Sequence, residues 1–276
     1  MPVSRSLALA AAIATGAAVV AGAAVLALRA LSRSMTFPGS SVAFPTEDEL
    51  ARSVPGASLV RYAAPGGPSL TGAIVRTRSG PGAESRRVIV WFHGNAESAA
   101  GYLPLAAGFA DAGFDVFLAE YRGYGGNAGR PSEAGLYADG EAALEALSKL
   151  GYRPAEVVLV GSSLGTGVAA ELAVRRPPAL LLLISPFTSA VDMGRTIAGP
   201  LAPLLVADRF DTLSKIGRVR SPVVILHGAL DEIVPVTMGR RLAASRPGTR
   251  YIEVAGAGHN DFPGLPELIL GELKRS

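Results

Sequence analysis

From about residue 57 to its end the chain alternates between two hydrophobic patterns. Short runs of nearly continuous apolar residues occur at Leu59–Tyr62, Leu70–Arg76, Val88–Phe92, Phe114–Ala119, Val157–Val160, Leu180–Ile184, Val223–Leu226 and Tyr251–Val254. Runs this short with no polar face suit strands buried on both sides. Between the later runs lie segments whose apolar residues return at helical spacing: Ala99–Ala112, Glu133–Leu150, Leu164–Arg176, Met238–Ala244 and Pro266–Lys274. The rhythm predicts an α/β fold, a mostly parallel eight-stranded sheet flanked by helices. The first two runs are joined by Pro65-Gly66-Gly67-Pro68, which predicts an antiparallel pair.

The chain opens differently. From Leu7 to Leu28, 22 residues pass without a charge, between Arg5 and Arg29. As a helix this stretch is about 33 Å long, enough for a hydrocarbon core of about 30 Å, and it predicts an N-terminal membrane anchor. Eleven of the 22 residues are Ala, and Ala21-Gly22-Ala23 resembles a small-residue cleavage site, so a secretory signal peptide is the alternative. Arg5 on one side and Arg29 and Arg33 on the other leave the orientation open. Ser32–Pro55, with Pro38, Gly39, Pro45 and the acidic Glu47-Asp48-Glu49, reads as a linker. The expected division is therefore 1–34 anchor or signal segment, 35–56 linker and lead-in, and 57–276 catalytic domain.

Composition narrows the function classes. The 276 residues are 49% hydrophobic and 18% charged, which excludes a disordered chain. The absence of cysteine excludes disulfides, thiolate metal sites and a cysteine nucleophile. A net charge of +3, with the basic residues scattered, gives no footprint for nucleic acid.

Candidate chemistry lies at the strand ends, where such sheets bind ligands. Gly161-Ser162-Ser163-Leu164-Gly165 joins an expected strand to an expected helix, and only Ser163 has Gly two residues away on each side. That spacing suits a nucleophile on a tight turn, with glycines letting strand and helix approach. A serine needs a base, and the chain has three histidines: His93, His227 and His259. Asp231 follows the strand Val223–Leu226, and His259 follows the last strand. The order Ser163, Asp231, His259 is that of a nucleophile-elbow triad, with His259 as base and Asp231 as its orienter. The oxyanion donors are expected to be the backbone amides of Leu164 and Asn95. His93 competes as a second base but fits better as a shaper of the Asn95 loop. The three histidines fit no zinc spacing, and no metal or cofactor is called for.

Trp91-Phe92-His93-Gly94-Asn95-Ala96-Glu97, Glu120-Tyr121-Arg122-Gly123-Tyr124-Gly125, Pro131-Ser132-Glu133-Ala134-Gly135-Leu136-Tyr137, the elbow, Asp208-Arg209-Phe210-Asp211 and His227-Gly228-Ala229-Leu230-Asp231-Glu232-Ile233-Val234-Pro235 together resemble the α/β-hydrolase superfamily. More narrowly they are similar to its membrane-anchored serine hydrolases, a group that includes protein depalmitoylases. The resemblance implies a serine esterase or thioesterase acting on a small-molecule or acyl-chain ester. The cysteine cluster that some of these relatives use for membrane delivery is missing, and the apolar N-terminus would replace it.

Three further expectations concern the surroundings. In Tyr121–Gly126, Arg122 is expected to tie neighbouring loops together rather than line the cleft. Ser185–Pro222 leaves room only for a minimal lid, and its apolar stretch Ile197–Val206 is expected to pack into the core. The rival readings are a peptidase cleaving N-terminal residues, with Glu97 or Glu120 holding the substrate amine, and a non-catalytic membrane-tethered binding protein.

Overall fold

The computed structural model of the chain describes residues 3–77 and 87–275. Eight strands form one sheet: β1 (Ala57–Tyr62), β2 (Leu70–Val75), β3 (Val88–Phe92), β4 (Asp115–Ala119), β5 (Val157–Ser162), β6 (Leu180–Ile184), β7 (Val223–Gly228) and β8 (Arg250–Val254). Their order is β1-β2-β4-β3-β5-β6-β7-β8. β2 runs antiparallel to both β1 and β4, and every other neighbouring pair is parallel.

The helices are α1 (Val3–Thr36), α2 (Glu47–Ser53), α3 (Leu103–Asp111), α4 (Glu133–Lys149), α5 (Leu164–Arg175), α6 (Ala190–Ala198), α7 (Ala202–Leu205), α8 (Thr212–Ile216), α9 (Val236–Ala244) and α10 (Leu265–Leu273). Strand alternation divides the buried residues between two layers. Val88, Val90 and Phe92 of β3 face one layer with α4, α5, α8 and α9, while Ile89 and Trp91 face the other with α2, α3 and α10. All five residues of β3, β4 and β6 are buried, and all but Asp115 at the start of β4 are apolar.

Three stretches depart from the sequence reading. Within the expected linker, Thr46 and Glu49 form a reciprocal capping box that starts α2, and Leu50 of that helix is fully buried. Ile197–Val206 does not pack into the core: Ile197 is 82% exposed, Leu201 59% and Leu204 46%, while Ala202 is buried. Pro200 and Pro203 break the stretch into α6, a single tight turn and α7, too short to turn one face inward. Third, α1 is one helix of 34 residues, yet among the described residues no helix is long and apolar enough to cross a membrane. The side chains of residues 3–14, which carry the first part of the expected span, lie outside the described residues. The expected membrane span thus has no support among the described residues; α1 runs on to Thr36, and its Arg29 meets α7 at the Leu204 carbonyl.

Candidate active site

The topology brings the ends of β3, β5, β7 and β8 to one edge of the sheet, and each carries one piece of the site. Ser163 follows β5 and immediately precedes α5. Its backbone is held at φ 49°, ψ −114°, a conformation that costs a side-chain-bearing residue about 1–3 kcal/mol. The turn closes because two neighbours lack side chains. A Cβ on Gly165 would overlap the Phe92 carbonyl oxygen, and one on Gly161 would lie 2.5 Å from the Gly165 carbonyl oxygen. The Ser163 amide donates to the Ile184 carbonyl of β6 at 3.0 Å, which ties the turn to its neighbouring strand.

Ser163, His259 and Asp231 meet. Nε2 of His259 is 3.0 Å from Ser163 Oγ, and its Nδ1 is 2.8 and 3.0 Å from the two carboxylate oxygens of Asp231. With Nδ1–H donating to a carboxylate, Nε2 faces the hydroxyl as an acceptor. The Asp231 side chain is fully buried, and its Oδ1 also accepts from the amides of Ile233 (3.0 Å) and Val234 (2.7 Å). Burial pushes the Asp231 carboxyl up, but donors on His227, His259, Ser185 and the Val234 amide outweigh it and hold the group well below the usual carboxylate range.

The expected oxyanion donors lie beside the serine. Leu164 is the first residue of α5, so its amide is among those without an intrahelical acceptor. Asn95 follows β3, and its side-chain oxygen accepts from the Ala96 amide (3.1 Å) and from the Tyr124 hydroxyl (2.9 Å). Asn95, Ser163 and Leu164 line the same cavity. Among the described residues, positive φ on a residue other than glycine occurs at Ala96, Ser163, Ser185 and Phe210, each in or beside this site. Among the described residues, the strained positions other than glycine gather here.

The remaining histidines are buried and face other partners. His93 Nδ1 lies 2.8 Å from the Gly94 carbonyl, and its Nε2 lies 2.6 Å from Glu120. Glu120 also accepts from the Ser98 hydroxyl and from the amides of Ala99 and Tyr121, so the pair knits the Asn95 loop to the end of β4. His227 Nε2 is 3.0 Å from the Val234 carbonyl and 3.4 Å from Asp231 Oδ2. Arg122 grips Asp139 with Nε and Nη2, and its own amide donates to the same carboxylate. That is the tying role expected of it. Glu97 accepts from the Gly94 amide and the Tyr102 hydroxyl.

The cavity in front of Ser163 is about 660 Å³ and bears no charged side chain among its described lining residues. Phe187, Met193, Ile197, Val206, Phe210 and Ile233 form much of it. Leu28, Leu31, Ser32 and Thr36 of α1 complete it. The sequence reading missed this contribution. Its signal was the spacing of those four positions, which puts them on one helical face.

The comparisons with known proteins agree with this architecture. The family described as serine aminopeptidase S33 (Hydrolase_4) matches residues 83–214. The Mycobacterium tuberculosis protein Rv2307c is 45% identical over 185 residues, 66% of this chain and 64% of its own length. Human alpha/beta hydrolase domain-containing protein 17B is 40% identical over 151 residues, 53% of this chain and 51% of its own length. An esterase from Pyrococcus furiosus superposes with a TM-score of 0.66 at 18% identity, over 87% of this chain and 97% of that one, a likeness of fold. The chain belongs to the α/β-hydrolase superfamily. Within it, the chain is similar to the alpha/beta hydrolase domain-containing 17 proteins, the group that the sequence motifs resemble. It spans between half and two thirds of the length of these curated relatives.

Proposed function

We propose that this protein is a serine hydrolase that cleaves a carboxylic ester or thioester with an apolar acyl group. The observation that carries the reading is the unbroken hydrogen-bonded line Ser163–His259–Asp231 at the foot of an uncharged cavity. In the mechanism, His259 Nε2 takes the Ser163 proton as Oγ attacks the carbonyl carbon. The amides of Leu164 and Asn95 hold the oxyanion, and Asp231 stabilises the imidazolium. The imidazolium then protonates the departing alcohol or thiol as the bond to carbon breaks. A water molecule, deprotonated by the same nitrogen, attacks the acyl-enzyme. The tetrahedral adduct expels Ser163 Oγ, which recovers its proton, and the carboxylic acid leaves.

An ester or thioester is favoured over a peptide with a free amino terminus by the lining of the cleft. An ammonium group needs a carboxylate, and the two expected candidates are engaged elsewhere: Glu120 with His93, and Glu97 with Gly94 and Tyr102. The intact serine, base and acid weigh against a purely binding role. Labelling by a fluorophosphonate, lost in Ser163→Ala while thermal unfolding stays cooperative, is the expected result. Labelling that persists in Ser163→Ala removes the assignment. Hydrolysis of aminoacyl amides in preference to acyl esters transfers it to a peptidase.

The same reading attaches the protein to a lipid surface through α1, on the strength of its 22 uncharged residues. The full chain is then expected to stay with membranes through a high-pH carbonate wash. Release of the intact, uncleaved chain into the supernatant contradicts it.

A further inference from the structure

Two leucines of α1 are left half in water although they sit against the cleft: Leu28 is 47% exposed and Leu31 58%. Both line the cavity together with Ile197 of α6, which is 82% exposed. On a helix, positions 28, 31, 32 and 36 share a face, while 29 and 33 form an adjacent stripe one turn apart. That stripe fastens the helix down. Nε of Arg29 donates to the Leu204 carbonyl of α7 at 2.7 Å, and Arg33 grips Asp208 through Nε at 2.6 Å. Asp208 is buried and itself accepts from the Glu133 amide at the start of α4, while the Arg209 amide donates back to Glu133. The end of α1 is thus held on one side by α7 and on the other by a residue pinned to the body of the domain.

We propose that the last turns of α1 are the outer wall of the acyl pocket, with Leu28 and Leu31 as specificity-determining residues that set acyl-chain length and Arg33 as the positioning residue that holds the wall in place. This rests on the reading of Ser163 as the acylated nucleophile. An acyl chain lying between α1 and α6 takes Leu28, Leu31 and Ile197 out of water together, which explains why three large apolar side chains are left uncovered around one cavity. Each methylene so buried is worth about fourfold in binding, so the wall discriminates by chain length. The wall lies beyond Ala21-Gly22-Ala23, and it survives whether or not the chain is cut there.

The test uses the full chain and compares the rates at which a butyl and a dodecyl fluorophosphonate label Ser163. Leu31→Trp, which fills the cavity, is expected to slow the dodecyl probe about tenfold while the butyl rate stays within about twofold. Arg33→Ala is expected to lower the dodecyl-to-butyl ratio as well, and Asp208→Asn to do the same. Val20→Trp, on the same helix but away from the cleft, is expected to change neither rate. An unchanged ratio in Leu31→Trp and in Leu28→Trp, with unfolding still cooperative, overturns the proposal. If neither probe labels the wild-type protein, the hydrolase reading fails and the wall is read by binding instead. A fluorescent dodecanoic acid analogue then binds Leu31→Trp about tenfold more weakly than wild type if the wall exists. Equal binding overturns it.

Discussion

Asp231 receives hydrogen bonds from the imidazole of His259 and from the amides of Ile233 and Val234, with His227 Nε2 close by on the other side. Its carboxylate is therefore held charged and fixed beside His259. Asp231→Asn keeps the shape but offers an amide where Nδ1–H needs an acceptor, which favours the wrong tautomer. A loss of about 10⁴ in kcat, with KM little changed, is expected from steady-state ester hydrolysis. A drop of less than tenfold removes Asp231 from the mechanism. The glycine spacing, the chain order and the strand-end positions made Ser163, Asp231 and His259 legible in the sequence. The support from His227 was not, because a histidine four residues before an acid in a strand-to-loop turn carries no sign of where its ring points. Nor was the Glu120–His93 pair, which joins two strand ends that are neighbours only in the sheet.

At the scale of elements, the eight strands and five of the helices follow from hydrophobic period alone, because elements buried on both faces or on one stripe must write that burial into the sequence. Among the elements that escaped, the stretch from α6 to α7 carries large apolar residues that the protein leaves exposed. The exposed side chains of Ile197, Leu201 and Leu204 look like core in a one-dimensional pattern, and only packing shows that nothing covers them. The helix α2 was legible but overlooked. Thr46-Glu47-Asp48-Glu49 is a capping-box sequence, and its acidic residues suit the positive end of a helix. Thr46→Ala is expected to cost about 1 kcal/mol in urea unfolding and to leave fluorophosphonate labelling unchanged. A cost below about 0.3 kcal/mol means that the box does not hold the helix.

For the whole molecule, the depressed carboxyl of Asp231 couples folding to pH. The folded group holds its proton less tightly than the unfolded one, so ionised Asp231 adds stability above the ordinary aspartate value of about 3.9, and that contribution is lost as pH falls. The stability advantage of the wild type over Asp231→Asn is therefore expected to be full near pH 7 and to shrink steadily below about pH 4. Denaturant midpoints measured along that range test it, and an advantage that is flat with pH would contradict it.

One close contact unites these scales. Nothing larger than a hydrogen atom fits where Gly165 meets the carbonyl of Phe92, so the helix start bearing the Leu164 amide and the loop bearing the Asn95 amide form one stiff corner. Two amide dipoles built on a single corner keep their spacing. On the proposed reading, the arrangement that a developing negative charge requires is completed once, when the chain folds, and an arriving carbonyl would find it already standing.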